Sequence, residues 1–232
     1  MRVLVTRPAE DGAQTAALLQ AMGHQALLAP LLTTHFLAVP APALDDVQAI
    51  LATSANGVRA LARLSPRRDI PLFAVGPQTT EAAEAAGFAS VRNADGDAHA
   101  LANATAQWAA PDKGTLLHIS GEESGGVLGE SLTALGFVLR RAVLYRVDAA
   151  DNLPLQAVTA LRQGAVDAAL FFSPRSARVF AALAVRDRIP LGGVTAVCIS
   201  PATAAGLAGG AFAAIRIAAR PNQDALLACL SG

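Results

Sequence analysis

The sequence predicts an α/β fold with two parallel sheets, each covered by helices on both faces. Short apolar runs recur along the 232 residues, with helical patterns between nearly all of them. That alternation is the mark of strands buried on two sides. The second observation is a repeat of strand-end turns. Thr53-Ser54-Ala55-Asn56-Gly57-Val58-Arg59-Ala60-Leu61 lines up with Phe172-Ser173-Pro174-Arg175-Ser176-Ala177-Arg178-Val179-Phe180, 119 positions later. Val75-Gly76-Pro77-Gln78-Thr79 lines up with Ile199-Ser200-Pro201-Ala202-Thr203, 124 positions later. A weaker match pairs Leu4-Val5-Thr6-Arg7-Pro8 with Leu117-His118-Ile119-Ser120-Gly121 at offset 113, where Gly23 also meets Gly136. Each copy passes from an apolar strand through small or hydroxyl residues into a helix. Ligands of open α/β sheets bind at that edge, and two copies predict two such edges.

In chain order, Arg2–Thr6 reads as a buried strand. Glu10–Ala21 reads as a helix with apolar Ala13, Ala16, Ala17 and Leu19–Ala21, and Gly23 as the terminating glycine. Ala26–Leu32 is the next strand, Thr33–Val39 continues extended, and Pro40-Ala41-Pro42 breaks the pattern. Strands then recur at Val47–Thr53, Leu72–Val75, Thr115–Ile119, Val138–Tyr145, Asp167–Phe172, Thr195–Ile199 and Ile215–Ala218. Two segments read as hinges, Phe36–Pro42 and Arg146–Asn152, the second carrying Asp148, Asp151 and Asn152. A chain crossing at both would make one domain discontinuous, whereas the repeat offsets alone place a cut near Lys113. The residues leave both partitions open.

Composition narrows the chemistry. The chain is 53% hydrophobic and 16% charged, enough apolar material for a sizeable core. Only 4% is aromatic, so Ala, Leu and Val do most of the packing. Lys and Arg total 18 against 18 Asp and Glu, which argues against a broad nucleic-acid or membrane surface. Cys198 and Cys229 sit in apolar surroundings and read as buried thiols rather than a disulfide. The first apolar run is too short for a signal peptide and no long apolar stretch reads as a membrane span, so the expected location is the cytoplasm.

The usual catalytic machinery is missing from the motifs. No Gly-x-Gly-x-x-Gly follows a strand, and Gly121-Glu122-Glu123-Ser124-Gly125-Gly126 has Val127 where a phosphate loop needs Lys. His24, His35, His99 and His118 lack metal-ligand spacing, so no metal is expected. No Gly-x-Ser-x-Gly elbow is present. Glu122-Glu123 reads as a solvated loop, because adjacent side chains point apart.

What remains is a set of hydroxyl-bearing helix starts. Ser54 and Ser173 each end a strand and can cap the following helix. The other first-turn N–H groups, with the helix dipole, favour a carboxylate or phosphate. Thr79 and Thr203 repeat the pattern in the second motif, and Pro77, Pro174 and Pro201 suit first-turn positions. Capping alone does not require four starts in paired sequence contexts, so these read as ligand contacts. Tyr145, the one tyrosine, ends the run Ala142-Val143-Leu144 beside Arg146. It reads either as an amphipathic residue at a domain edge or as a proton donor.

These segments carry a resemblance to the uroporphyrinogen-III synthase family over nearly the full length. The matching stretches are Val5–Pro8, Thr53–Val58, Ala74–Thr79, Ser120–Glu122, Val143–Arg146, Phe171–Ala177, Ile199–Ala204 and Pro221–Leu226. The resemblance implies two doubly wound, flavodoxin- or Rossmann-like domains joined by a two-stranded linker, with a cleft between them. Residues 1–36 with 147–232 would form one domain and 39–145 the other, with linkers at about 37–38 and 146. It implies the cyclisation of the linear tetrapyrrole hydroxymethylbilane, with loss of water and inversion of ring D, by a cofactor-free monomer. Ser54, Asn56, Thr79, Ser173 and Thr203 would contact this octacarboxylate, and Tyr145 would help the hydroxyl depart. Arg7, Arg146 and Arg175 are added as carboxylate partners on charge. Many relatives have Arg-Gly where this chain has Ser120-Gly121, so Ser120 is left out. The rival readings are a cofactor-free two-lobed protein that clamps a small anion, and a sugar- or nucleotide-transferring enzyme on paired doubly wound domains.

Overall fold

The computed structural model describes residues 1–230. The chain opens with β1 (Arg2–Val5), α1 (Ala9–Ala21), β2 (Gln25–Leu28) and β3 (Leu32–Phe36). It continues through β4 (Val47–Ala52), α2 (Ala55–Leu64), β5 (Leu72–Ala74), α3 (Pro77–Ala85), β6 (Val91–Asn93) and α4 (Ala98–Trp108). A short 3-10 turn at Pro111–Lys113 leads to β7 (Thr115–Gly121), α5 (Val127–Ala134) and β8 (Leu139–Ala149). Last come α6 (Leu155–Arg162), β9 (Ala168–Phe171), α7 (Pro174–Arg186), β10 (Thr195–Cys198), α8 (Pro201–Ala205), β11 (Ala214–Ile217) and α9 (Gln223–Ala228).

The chain forms two compact units. One is Met1–Thr33 with the chain from Asp148 onward; the other is Thr34–Val147. The first holds the sheet β11-β10-β9-β1-β2, parallel throughout. The second holds β3-β8-β7-β4-β5-β6, parallel from β8 to β6. The bonds from Ala150 N to Leu31 O and from Leu37 N to Leu144 O, both 2.9 Å, bracket β3 and β8 in antiparallel sense.

Alternation along the central strands feeds a core on each sheet face. Leu4 joins Ala169, Phe171 and Ala196 on one side of the first sheet, and Val3 and Val5 join Leu170 and Val197 on the other. In the second sheet Ile50 and Ala52 pack with Leu72 and Leu117, whereas Ala49 and Leu51 pack with Phe73 and Leu116. Helices supply the covering layers. On α7 the buried Ala177, Phe180, Ala181 and Ala184 recur at helical spacing, and Phe180 meets Phe171 edge-on at 5.2 Å.

The repeat maps onto this topology in an unexpected way. By the offsets, β1 corresponds to β7, β4 to β9 and β5 to β10. The strand order β8-β7-β4-β5-β6 then superposes on β2-β1-β9-β10-β11, strand for strand. The matched glycines agree as well: Gly23 (φ 78°) and Gly136 (φ 83°) both follow a helix in the left-handed region. Across these five matched strands, each sheet takes two from one copy and three from the other, with β3 an extra edge strand of the second sheet.

Two expectations are corrected. Ala26–Leu32 is not one strand: β2 stops at Leu28 and β3 starts at Leu32, because Pro30 lacks the N–H that a continuing ladder needs. β8 runs through Arg146 to Ala149, and the two units divide after Thr33 and after Val147. Cys198 is buried but Cys229 is only half-buried; both are free thiols. Among the described residues no helix is long and apolar enough to cross a membrane.

Candidate active site

Each sheet has a point where successive connections leave in opposite directions, between β1 and β9 in the first unit and between β4 and β7 in the second. A crevice opens at the carboxyl ends of strands at such points. The residues selected from sequence cluster at these ends.

In the second unit, Ser54 follows β4 and caps α2, accepting from Asn56 N at 3.2 Å. Asn56 Nδ2 donates to Thr34 Oγ1 at 3.1 Å, and its Oδ1 accepts from Arg59 at 3.3 Å. Thr53, one residue before the cap, meets the imidazole of His118 on β7, with Oγ1 3.2 Å from Nε2. His118 is buried. Burial, reinforced by the nearby Arg141 charge, lowers its pKa to about 4, so the ring is neutral at physiological pH.

At the end of β7, Ser120 Oγ accepts from Arg141 Nε at 2.8 Å. Gly121 then lies in register with Tyr145 of β8. Tyr145 is buried and belongs to the core cluster that also holds Ile119, Ala52 and Val58, and its backbone carbonyl accepts from Glu122 N at 3.0 Å. Among the described residues the phenol oxygen has no hydrogen-bond partner, and it is not among the enclosed unsatisfied side-chain atoms. Solvent therefore reaches the hydroxyl while the ring stays packed. Arg146, the next residue on β8, is exposed.

In the first unit, Thr6 Oγ1 ties the end of β1 to Leu170 O of β9 at 2.7 Å. Ser173 caps α7, accepting from Ser176 N at 3.1 Å, with the two hydroxyls 3.0 Å apart. Arg175, in the first turn of α7, is half-buried.

The second motif differs from expectation. Thr79 and Thr203 are not caps but third residues of α3 and α8, in the first turn, and both are buried. The caps are Gly76, which has no side chain to offer, and Ser200, which accepts from Thr203 N at 3.3 Å and lies 3.0 Å from Thr203 Oγ1. Arg7 already has partners in the folded chain. Its guanidinium pairs with Asp11 at 3.3 Å, donates to Gln223 Oε1 at 2.7 Å and stacks 4.3 Å over the Phe172 ring. Those partners hold it inside its own unit.

Sequence reasoning missed Ser200, Arg141 and the Thr53–His118 pair. The signal for Ser200 was present, since Ser200-Pro201 repeats Ser173-Pro174. Among the described residues no three His, Cys, Asp or Glu side chains converge as a metal site.

The chain matches the family model of uroporphyrinogen-III synthase HemD over residues 13–228. It is similar to the solved uroporphyrinogen-III synthetase of Helicobacter pylori, with a TM-score of 0.67 and 19% identity, covering 100% of this chain and 99% of that one. It is also similar to a mutant uroporphyrinogen III synthase from the extremely thermophilic bacterium Thermus thermophilus, with a TM-score of 0.54 and 21% identity, covering 100% and 97%. At those identities the two structures bear on the fold alone. A search of curated proteins finds no match.

Proposed function

This chain belongs to the uroporphyrinogen-III synthase HemD family, and on that premise we propose how its strand ends carry the reaction. It is a cyclising lyase of tetrapyrrole biosynthesis, closing hydroxymethylbilane to uroporphyrinogen III with loss of water and inversion of ring D.

Hydroxide leaves a carbon poorly, so the departing oxygen needs a proton or a strong hydrogen bond. Tyr145 supplies it in this reading. Its phenol donates to the leaving oxygen, the C–O bond breaks toward that oxygen, and the electron-rich pyrrole next to it stabilises the methylene carbon left behind. The observation that supports this role is the unpartnered, solvent-reached hydroxyl on an otherwise buried ring.

The helix starts at the carboxyl ends of each sheet suit the substrate's carboxylates. Ser54 and Ser173 hold the first turns of α2 and α7 open to an anion, whose charge the helix dipoles favour. Arg146 and Arg175 add positive charge beside them. Asn56 anchors the first turn of α2 to Thr34, and Thr79 and Thr203, buried in the first turns, shape the starts of α3 and α8. The two compact units serve as the enzyme's domains. The enzyme acts as a cytoplasmic monomer, for which two free thiols are fitting.

The test is incubation with enzymatically generated hydroxymethylbilane, followed by resolution of the porphyrin isomers. The type III isomer is expected. Type I product alone, as from unassisted closure, would overturn the reading and favour an anion-binding protein.

A further inference from the structure

Arg141 is held in place by neutral groups alone. Besides the bond from Nε to Ser120 Oγ, Nη2 donates to Gly121 O at 2.7 Å and to Glu122 O at 3.0 Å. Among the described residues Arg141 has no carboxylate partner and Nη1 has no acceptor, although the residue is exposed. Arg162 and Arg216 also donate only to carbonyls, but each through a single nitrogen. Arg140, the neighbour of Arg141 on β8, pairs with Asp46 at 2.8 Å, and Arg67 pairs with Asp69 at 2.8 Å. Arg68 also binds only carbonyls, but it uses Nε, Nη1 and Nη2 together to close the chain around Ala62, Ser65 and Ala86. Arg141 stops one amino group short.

A guanidinium pinned through two nitrogens has already lost much of its rotamer freedom, so a further bond costs little ordering. Its charge is uncompensated, and its position is the carboxyl end of β7, beside the point where the second sheet's connections diverge. Gly121, whose carbonyl it grips, is the residue that packs against the Tyr145 ring. We propose that Arg141 is a substrate-binding residue that takes one carboxylate of the tetrapyrrole on Nη1 and so sets the substrate's register beside Tyr145. This rests on the synthase reading above. The competing role is a splint that merely ties β8 to β7.

Steady-state kinetics with hydroxymethylbilane at low and physiological salt, together with thermal midpoints, separate the two. Losing a charge-assisted bond, Arg141→Gln should raise KM about 10- to 100-fold. Its kcat should stay within about twofold, the pattern of lost uniform binding, and the dependence of KM on salt should flatten. Arg141→Lys, which keeps the charge but not the fork, should fall between Gln and wild type. Lys113→Gln, an exposed charge control, should leave KM and its salt dependence unchanged. Wild-type KM and salt dependence in Arg141→Gln would overturn the proposal, as would a fall in kcat and thermal midpoint with KM held, the behaviour of a splint. Should Arg141→Gln fail to fold, Arg141→Lys decides: a raised KM supports the proposal and an unchanged one overturns it. If the wild-type protein yields no type III isomer, the synthase reading fails first and the proposal falls with it.

Discussion

Gly121 and Tyr145 lie in register on neighbouring strands, and the glycine is where the ring finds its space. A Cβ at Gly121 would come within 2.8 Å of Tyr145 Cε2 and 2.9 Å of Cζ. The ring is enclosed on its other sides by the core, so it cannot yield without displacing packed neighbours. Gly121→Ala should destabilise the fold by about 1–3 kcal/mol, as overpacking typically does, and should lower turnover because the phenol moves. Chemical denaturation and kcat measure the two effects. An alanine variant with wild-type stability and turnover would mean that the ring shifts freely.

Tyr145→Phe asks a different question, since it keeps the ring and removes only the oxygen. A positioned proton donor contributes about 10²–10⁴-fold in rate, so kcat should fall by that order while the unfolding midpoint stays put. Residual activity is expected, because the substrate's hydroxyl also departs unaided. Full turnover in Tyr145→Phe would make the phenol structural.

His118 predicts a pH dependence of stability. Its pKa is about 4 in the folded protein against an ordinary 6.5. Below about 6.5 the unfolded chain takes up a proton that the folded chain refuses until about 4, so stability falls as pH falls through that window. Well above pH 6.5 the ring is uncharged in both states and the effect vanishes. The loss should reach about 3 kcal/mol near pH 4. Urea unfolding across pH 4–7 should show a shallower decline in His118→Gln than in wild type. Parallel declines would acquit His118.

Ser200→Ala removes the cap of α8 and the partner of the buried Thr203 hydroxyl. The expected cost is about 1 kcal/mol in unfolding free energy, with a rise in KM if the first turn loosens. Ser200→Asp should restore stability, since aspartate caps as well as serine. Failure of both expectations would make the cap incidental.

The parts of the fold that could be read from sequence are those in which local pattern and environment agree. The central strands β1, β4, β7, β9 and β10 are apolar runs because both their faces are covered, and the Ser54 and Ser173 caps follow from local chemistry. β6 escaped notice because Val91-Arg92-Asn93 is three residues long and largely exposed at a sheet edge. Arg7 looked available because its partner Gln223 lies 216 positions away. The bond from Arg141 to Ser120 depends on how β7 and β8 align, which no local pattern announces. Tyr145 stood out by being single, but only the fold shows a buried ring with an open hydroxyl.

Because each sheet draws on both copies of the repeat, the copies cannot be parted without opening both sheets at their centres. A nick between Lys113 and Gly114 would separate the sequence copies cleanly. It would nevertheless leave the amino-terminal piece with β1 deprived of β9 and β4 deprived of β7. Those strands are buried on both faces, so each fragment alone would present raw apolar edges of the kind that aggregate. Mixed together, the fragments have reciprocal edges to offer, and each would be completed only by the other. The two copies are bound by mutual completion of their sheets, independently of the peptide bond that joins them.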